Sequence, residues 1–210
     1  NIWLGLDIGI SYINTHSPIR EYTDKNGVLG SVYTSAINGG NLYLGTNQGL
    51  FYKNLEKNDG FNFIQGTQGQ VWNLKVIDQT LFCCHDSGTY TIKDNQAERI
   101  SSIKGTWNIT KLNNNSNLLL QGNYDGLYVL EKTNNSWRLR NKIKGFNNSS
   151  RYFEIFGNKI FVNHEYKGVF KIIADSTFSE VTKVSIYSLF KGFDSGIIKY
   201  NDNLLYSYVN

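Results

Sequence analysis

Residues 41–52 read NLYLGTNQGLFY, an apolar run, a polar turn closed by Gly49, and a second apolar run. The pattern returns along the whole chain. Ile2-Trp3-Leu4-Gly5 leads through Gly9 into residues 10–13, and residues 81–84 lead through Gly88 into 89–92. Residues 119–122 lead through Gly126 into 127–130, and residues 161–164 through Gly168 into 169–172. The turn glycines 9, 49, 88, 126 and 168 are spaced by 40, 39, 38 and 42 residues. A period this even means an array of one supersecondary unit, each copy burying its apolar face against the next.

The copy around Gly88 shows what the unit is. Residues 70–77 form a first β-type run, closed by a tight turn at Asp78-Gln79. Residues 80–84 form a second run, and His85-Asp86-Ser87-Gly88 a turn ending on a residue suited to positive φ. Residues 89–93 make a third run and residues 97–103 a weaker fourth. Short β-branched and aromatic runs broken by Asn, Asp and Gly are strands, and no stretch sustains a helical period. Four strands in about 40 residues predict a β-propeller blade. The expected fold is therefore all-β, a propeller of about five four-stranded blades, either a closed ring or an arc of a larger, roughly seven-bladed one.

The second and third strands are expected to pack between blades. The small residue four before each turn glycine (Gly5, Gly45, Cys84, Gly122) is expected to let sheets approach closely, with His164 departing from that pattern. Residues 16–27, holding the single proline Pro18, read as an outer strand and link. Residues 111–117 (KLNNNSN) read as a loop insertion, and residues 176–193 as a blade edge with a long loop. No domain boundary stands out, so residues 1–210 read as one propeller domain or part of one. Asn203-Leu204-Leu205-Tyr206 repeats Asn41-Leu42-Tyr43-Leu44, so an unfinished unit starts near residue 195, and the chain is expected to be a piece of a longer polypeptide.

Composition narrows the function. The net charge of +4 is scattered, and the densest basic patch, residues 138–144, holds four basic residues and reads as a polar strand edge. Binding nucleic-acid phosphates needs clustered charge, so no direct nucleic-acid contact is expected. No stretch approaches the ~20 apolar residues of a membrane-spanning helix. Cys83 and Cys84 are adjacent, which on a strand points them to opposite faces, and buried thiols are expected.

Trp3-Leu4-Gly5-Leu6-Asp7-Ile8-Gly9-Ile10 and Leu42-Tyr43-Leu44-Gly45-Thr46-Asn47-Gln48-Gly49-Leu50 resemble the two-component regulator propeller repeat. Gly30-Ser31-Val32-Tyr33, Gln70-Val71-Trp72-Asn73, Gly105-Thr106-Trp107-Asn108, and Ser150-Arg151-Tyr152-Phe153 with His164-Glu165-Tyr166-Lys167-Gly168 look closer still to one group. They resemble the sensor propellers of Bacteroidetes (flavobacterial) regulators carrying a triple-tyrosine domain and a LuxR-type DNA-binding domain. The likeness covers nearly the whole chain and weakens from Ser176 onward. It implies an extracytoplasmic, periplasmic sensor domain of a membrane-anchored regulator of transcription. It implies as partners the remaining blades and the triple-tyrosine domain, and a glycan as ligand.

Alignment on the turn glycines adds a candidate site. Tyr33, Trp72 and Tyr152 each lie 16 residues before their glycine, and Trp107 lies 19 before Gly126, the excess falling in the 111–117 insertion. If the first strand is innermost, these rings circle a central channel at one face, where they could stack on sugars or plug the channel. Arg151 could add a fork for a carboxylate or phosphate, or form a surface salt bridge. His85, His164 and Glu165 read as turn residues without metal-ligand spacing, and Asp24, Asp86 and Asp125 as turn chemistry. No nucleophile elbow, phosphate loop or nucleotide fingerprint is present. The expectation is a non-catalytic ligand-binding propeller without cofactor or metal, recognising an oligosaccharide or other small molecule through Tyr33, Trp72, Trp107, Arg151 and Tyr152. The alternatives are a structural or homodimerisation scaffold and a propeller lyase or hydrolase.

Overall fold

Twenty strands and no helix occur among the described residues, which in this computed structural model are 1–19, 27–57, 59–112, 117–201 and 203–207. Asp24 and residues 113–116 of the Asn-rich insertion lie outside them. A hairpin, β1 (Ile2–Leu6) and β2 (Gly9–Ile13), precedes four antiparallel four-stranded sheets in which sequence neighbours pair. The first sheet is β3 (Val32–Asn38), β4 (Asn41–Thr46), β5 (Leu50–Asn54) and β6 (Asn62–Phe63); the second is β7 (Val71–Ile77), β8 (Thr80–His85), β9 (Gly88–Lys93) and β10 (Gln96–Ser101). The third is β11 (Thr106–Lys111), β12 (Leu118–Asn123), β13 (Gly126–Thr133) and β14 (Ser136–Lys142). The fourth is β15 (Tyr152–Phe156), β16 (Lys159–His164), β17 (Gly168–Ala174) and β18 (Val181–Tyr187), and a second hairpin follows, β19 (Gly196–Tyr200) and β20 (Asn203–Ser207). This is the β-propeller blade. Four units are complete, and the units at Gly9 and near residue 195 are two-stranded among the described residues. The irregular stretch after Ser176 supplies β18, an ordinary fourth strand.

The turn chemistry explains the regularity. Asp78-Gln79, Asp94-Asn95 and Asn134-Asn135 all take left-handed φ, between 47° and 64°, which gives the two-residue hairpin turns whose twist matches the strands they join. Gly88 stands at φ 154°, and a side chain there would collide with the carbonyl of Ser101, the last residue of the sheet's outer strand. A glycine is therefore required at this turn both by backbone angle and by space.

Packing runs between sheets, on the second and third strands joined by buried residues of the first strands. Tyr43 and Leu50 of the first sheet meet Val71, Leu81, Cys83 and Ile92 of the second. Phe82 and Cys84 meet Ile109, Leu119 and Leu130 of the third. Leu120, Leu127 and Val129 meet Phe153, Ile160, Val162 and Ile172 of the fourth. The two cysteines thus sit in different interfaces, free and fully buried, and burial pushes the Cys84 thiol up to about 12. Arg138, Arg140 and Lys142 lie on the outer strand β14, where Lys142 pairs with Asp125 at 2.9 Å.

Candidate functional site

The first strands give Val71, Ile109 and Phe153 to these interfaces, and their remaining positions are left to line the inside. β3 lies beside β7, β7 beside β11, and β15 beside β19, while β11 and β15 approach less closely. Three of these strands carry the same irregularity. Val32 faces Thr46 but Thr34 faces Gly45; Val71 faces His85 but Asn73 faces Cys84; Thr106 faces Asn123 but Asn108 faces Gly122. Tyr33, Trp72 and Trp107 are therefore the extra residues of three equivalent β-bulges. A bulge bends its strand and re-aims its side chain, and bulges gather at functional rims.

The register of the fourth sheet differs from what glycine alignment implies. Its turn from His164 to Gly168 holds one more residue than the turn from His85 to Gly88, so Phe153 faces Val162 as Leu74 faces Cys83. By strand pairing, Arg151 is the counterpart of Tyr33, Trp72 and Trp107. Tyr152 is the counterpart of Thr34, Asn73 and Asn108. The same shift makes Asn163, not His164, the counterpart of Gly45, Cys84 and Gly122.

The four equivalent side chains form one column. Tyr33 stacks on Trp72 with centroids 5.4 Å apart and planes 19° apart, and Trp72 meets Trp107 at 4.7 Å. The Arg151 guanidinium carbon lies 5.1 Å from the ring centroids of both Trp107 and Tyr152. Cation and ring faces attract in this geometry. Both indole N–H groups are anchored, Trp72 donating to the Tyr124 hydroxyl at 2.9 Å and Trp107 to Ser149 Oγ at 3.0 Å. Behind the column Leu74 N–H donates to Thr34 Oγ1 at 3.2 Å and Asn73 Nδ2 donates to Asn108 Oδ1 at 2.9 Å, tying three first strands together.

Tyr33, Trp72, Trp107, Arg151 and Tyr152 all line one depression of about 510 Å³, with Thr34, Asn73 and Asn108 at its floor. A second depression of about 410 Å³ shares Trp107, Arg151 and Tyr152 and is completed by Ser149, Asn163, His164, Glu165 and Tyr166. Both fall in the range of ligand sites. The rings also pack on one another, so the faces of Trp72 and Trp107 are largely used, and edges plus the more exposed Tyr33 and Tyr152 remain for a ligand. Sequence reasoning missed Tyr124, Ser149 and Tyr166. The polar residue following each aromatic, Thr34, Asn73 and Asn108, was the available signal for the ladder.

The histidines are hydrogen-bonding groups. His85 is fully buried; Nε2–H donates to the Thr67 carbonyl at 3.2 Å and Nδ1 accepts the Ser87 N–H at 3.0 Å. Burial holds its pKa below the ordinary value. His164 Nδ1 accepts the Tyr166 N–H at 3.3 Å, and burial lowers its pKa too. Among the described residues no three His, Cys, Asp or Glu side chains form a metal-binding group, and no helix is long and apolar enough to cross a membrane.

Solved structures share this fold at low identity. The extracellular domain assigned to hybrid two-component system BT4673 of B. thetaiotaomicron superposes with a TM-score of 0.65 at 15% identity, over 98% of this chain and 33% of that one. The corresponding domain of BT3049 from the same organism gives 0.63 at 14%, over 82% and 26%. The WD40 β-propeller domain of Doa1 gives 0.51 at 12%, over 78% and 55%. The chain thus spans about a third or less of the two extracellular domains it resembles. No family model and no curated protein matches it.

Proposed function

We propose that this chain is the ligand-binding propeller of an extracytoplasmic sensor in a two-component-like regulator, and that it binds a carbohydrate or its breakdown product without transforming it. The carrying observation is the convergence of Tyr33, Trp72, Trp107, Arg151 and Tyr152, from four successive sheets, on one 510 Å³ depression. Aromatic surface with anchored polar edges suits sugar rings, which offer apolar C–H faces rimmed by hydroxyls. The extracellular two-component domains of the same fold support the sensor part of the reading. Among the described residues lining the two cavities the one carboxylate, Glu165, faces Arg151 at 3.8 Å, an arrangement suited to binding rather than to the paired carboxylates of glycoside hydrolysis. In the full protein the remaining blades and a triple-tyrosine domain would read the ligand-induced change.

The test is a thermal-shift and calorimetric screen of the chain against neutral and acidic oligosaccharides. A ligand of the folded state alone raises the midpoint by mass action. Binding that Trp72→Ala abolishes supports the reading; binding by the Trp72→Ala and Trp107→Ala variants at parental strength sinks it. A second reading, a scaffold that docks a protein or a second copy, is favoured by the apolar hairpin β1–β2, where Trp3 is 70% and Ile10 76% exposed. Concentration-dependent dimerisation without any glycan shift would select it.

A further inference from the structure

Arg151 is the sole cation among the described residues lining either depression, and it stands where both meet. Its guanidinium is held between the Trp107 and Tyr152 rings, which accept at most weak hydrogen bonds. Glu165 is 3.8 Å from Nη1, beyond hydrogen-bond range. The fork is thus charged and positioned, with N–H donors open to an incoming acceptor. Other donors surround the same cavity. Ser149 Oγ accepts from Trp107, leaving its own proton to donate. His164 accepts a backbone N–H at Nδ1, which in the neutral ring leaves Nε2–H as a donor. Tyr152 and Tyr166 add exposed ring surface beside these donors.

Resting on the proposed glycan-binding role, we infer that the 410 Å³ cavity is a subsite for a uronic acid residue, whose carboxylate takes the Arg151 fork while the rest of an acidic oligosaccharide runs along the aromatic column. A planar carboxylate matches a planar guanidinium with two parallel hydrogen bonds, which a neutral hydroxymethyl group in the same place does not. Glu165 is the competing acceptor. Its long, partly exposed contact holds Arg151 weakly and yields to a ligand carboxylate that bonds directly.

The experiment pairs each acidic probe with a neutral twin. Tetrasaccharides of galacturonate, of glucuronate-containing repeats and of mannuronate-guluronate are titrated calorimetrically beside their methyl esters and beside sulfated neutral tetrasaccharides. One uronate is expected to bind about tenfold or more tighter than its ester, as one charge-assisted contact implies. Arg151→Gln should erase that difference, so that acid and ester bind this variant alike, and Glu165→Gln should tighten the acid. The preference should also shrink with added salt. A neutral or sulfated tetrasaccharide that binds as well as every uronate, through Trp72, overturns the uronate subsite and leaves the sensor reading standing. Absence of binding by all probes overturns both.

Discussion

Gly122 tests the packing rule that builds this array. Its Cα lies on β12 against the fourth sheet, and an added methyl would collide with the Ser150 carbonyl and stand 2.8 Å from Phe153 Cε1. Neither can yield freely, because Ser150 O is backbone and Phe153 is buried in the interface. Overpacking of this kind costs about 1–3 kcal/mol, and contact with backbone puts Gly122→Ala in the upper half. The lost flexibility of the unfolded chain returns about 0.4–1 kcal/mol. The net, about 2 kcal/mol, corresponds to a Tm lowered by about 4–8 °C in a chain of this size. Gly45→Ala meets Val71 Cγ1 at 2.5 Å and Thr34 Cγ2 at 2.6 Å, side-chain methyls rather than backbone, and should lose less. Gly5→Ala meets nothing within 4 Å and should lose nothing. Calorimetry or urea unfolding of the three variants reads the series. Equal Tm values for all three, or a larger loss at Gly5 than at Gly122, would refute the claim that Gly45 and Gly122 set the distance between sheets.

Other consequences are as direct. Tyr124→Phe removes the acceptor of the Trp72 indole N–H and should cost about 1 kcal/mol, seen as a Tm drop of about 2–4 °C and weaker glycan binding; an unchanged affinity would mean that anchoring Trp72 is irrelevant to binding. Cys83 and Cys84 should resist a thiol reagent in the native state and react only on unfolding, since the thiolate is the reactive form and Cys84 sits at about 12; fast labelling of the folded chain would contradict the burial. His85 has a lowered folded pKa, so the unfolded chain binds more protons below about pH 6.5 and stability falls as pH drops from there toward the folded value. A Tm–pH profile of His85→Gln should lose the His85 share of that acid slope and keep the share from His164, whose pKa is lowered in the same direction; an unaltered slope would assign it elsewhere.

The strands and turns were legible because each depends on local chemistry. Left-handed Asp, Asn and Gly residues and alternating apolar runs need no tertiary information, and the opposed burial of Cys83 and Cys84 follows from strand alternation. The site was legible only as far as spacing carries. A constant 16-residue interval groups Tyr152 with Tyr33 and Trp72, yet the extra residue in the His164–Gly168 turn shifts the register and gives Arg151 the equivalent place. The interval counts residues along one strand and turn, whereas equivalence is fixed by which residue faces which across the sheet. The bulges at Tyr33, Trp72 and Trp107 were hidden for the same reason. A bulge is a mismatch between two strands, and it leaves no gap in either sequence.

The residues at these equivalent positions also explain where the cavities open. In the first three sheets the position behind the column is Thr34, Asn73 and Asn108, whose side chains bond one first strand to the next. In the fourth it is Tyr152, whose ring lies against the Arg151 guanidinium. The ladder therefore stops at Asn108, and β15 approaches β11 less closely than β7 does. Both depressions meet across this break, with Trp107 on one side, Tyr152 on the other and Arg151 between them. The sheets remain joined there by the second and third strands, where Gly122 touches Ser150 and Leu127 and Val129 pack with Ile160 and Val162. The next interface departs at the equivalent place, with Asn163 donating to the Ser195 carbonyl at 2.9 Å instead of a glycine in contact. The first strands thus carry two kinds of position, buried residues such as Val71, Ile109 and Phe153 that join the interfaces and the column positions that do not, and it is Arg151 at the column position of the fourth sheet that ends the aromatic stack in a charged fork.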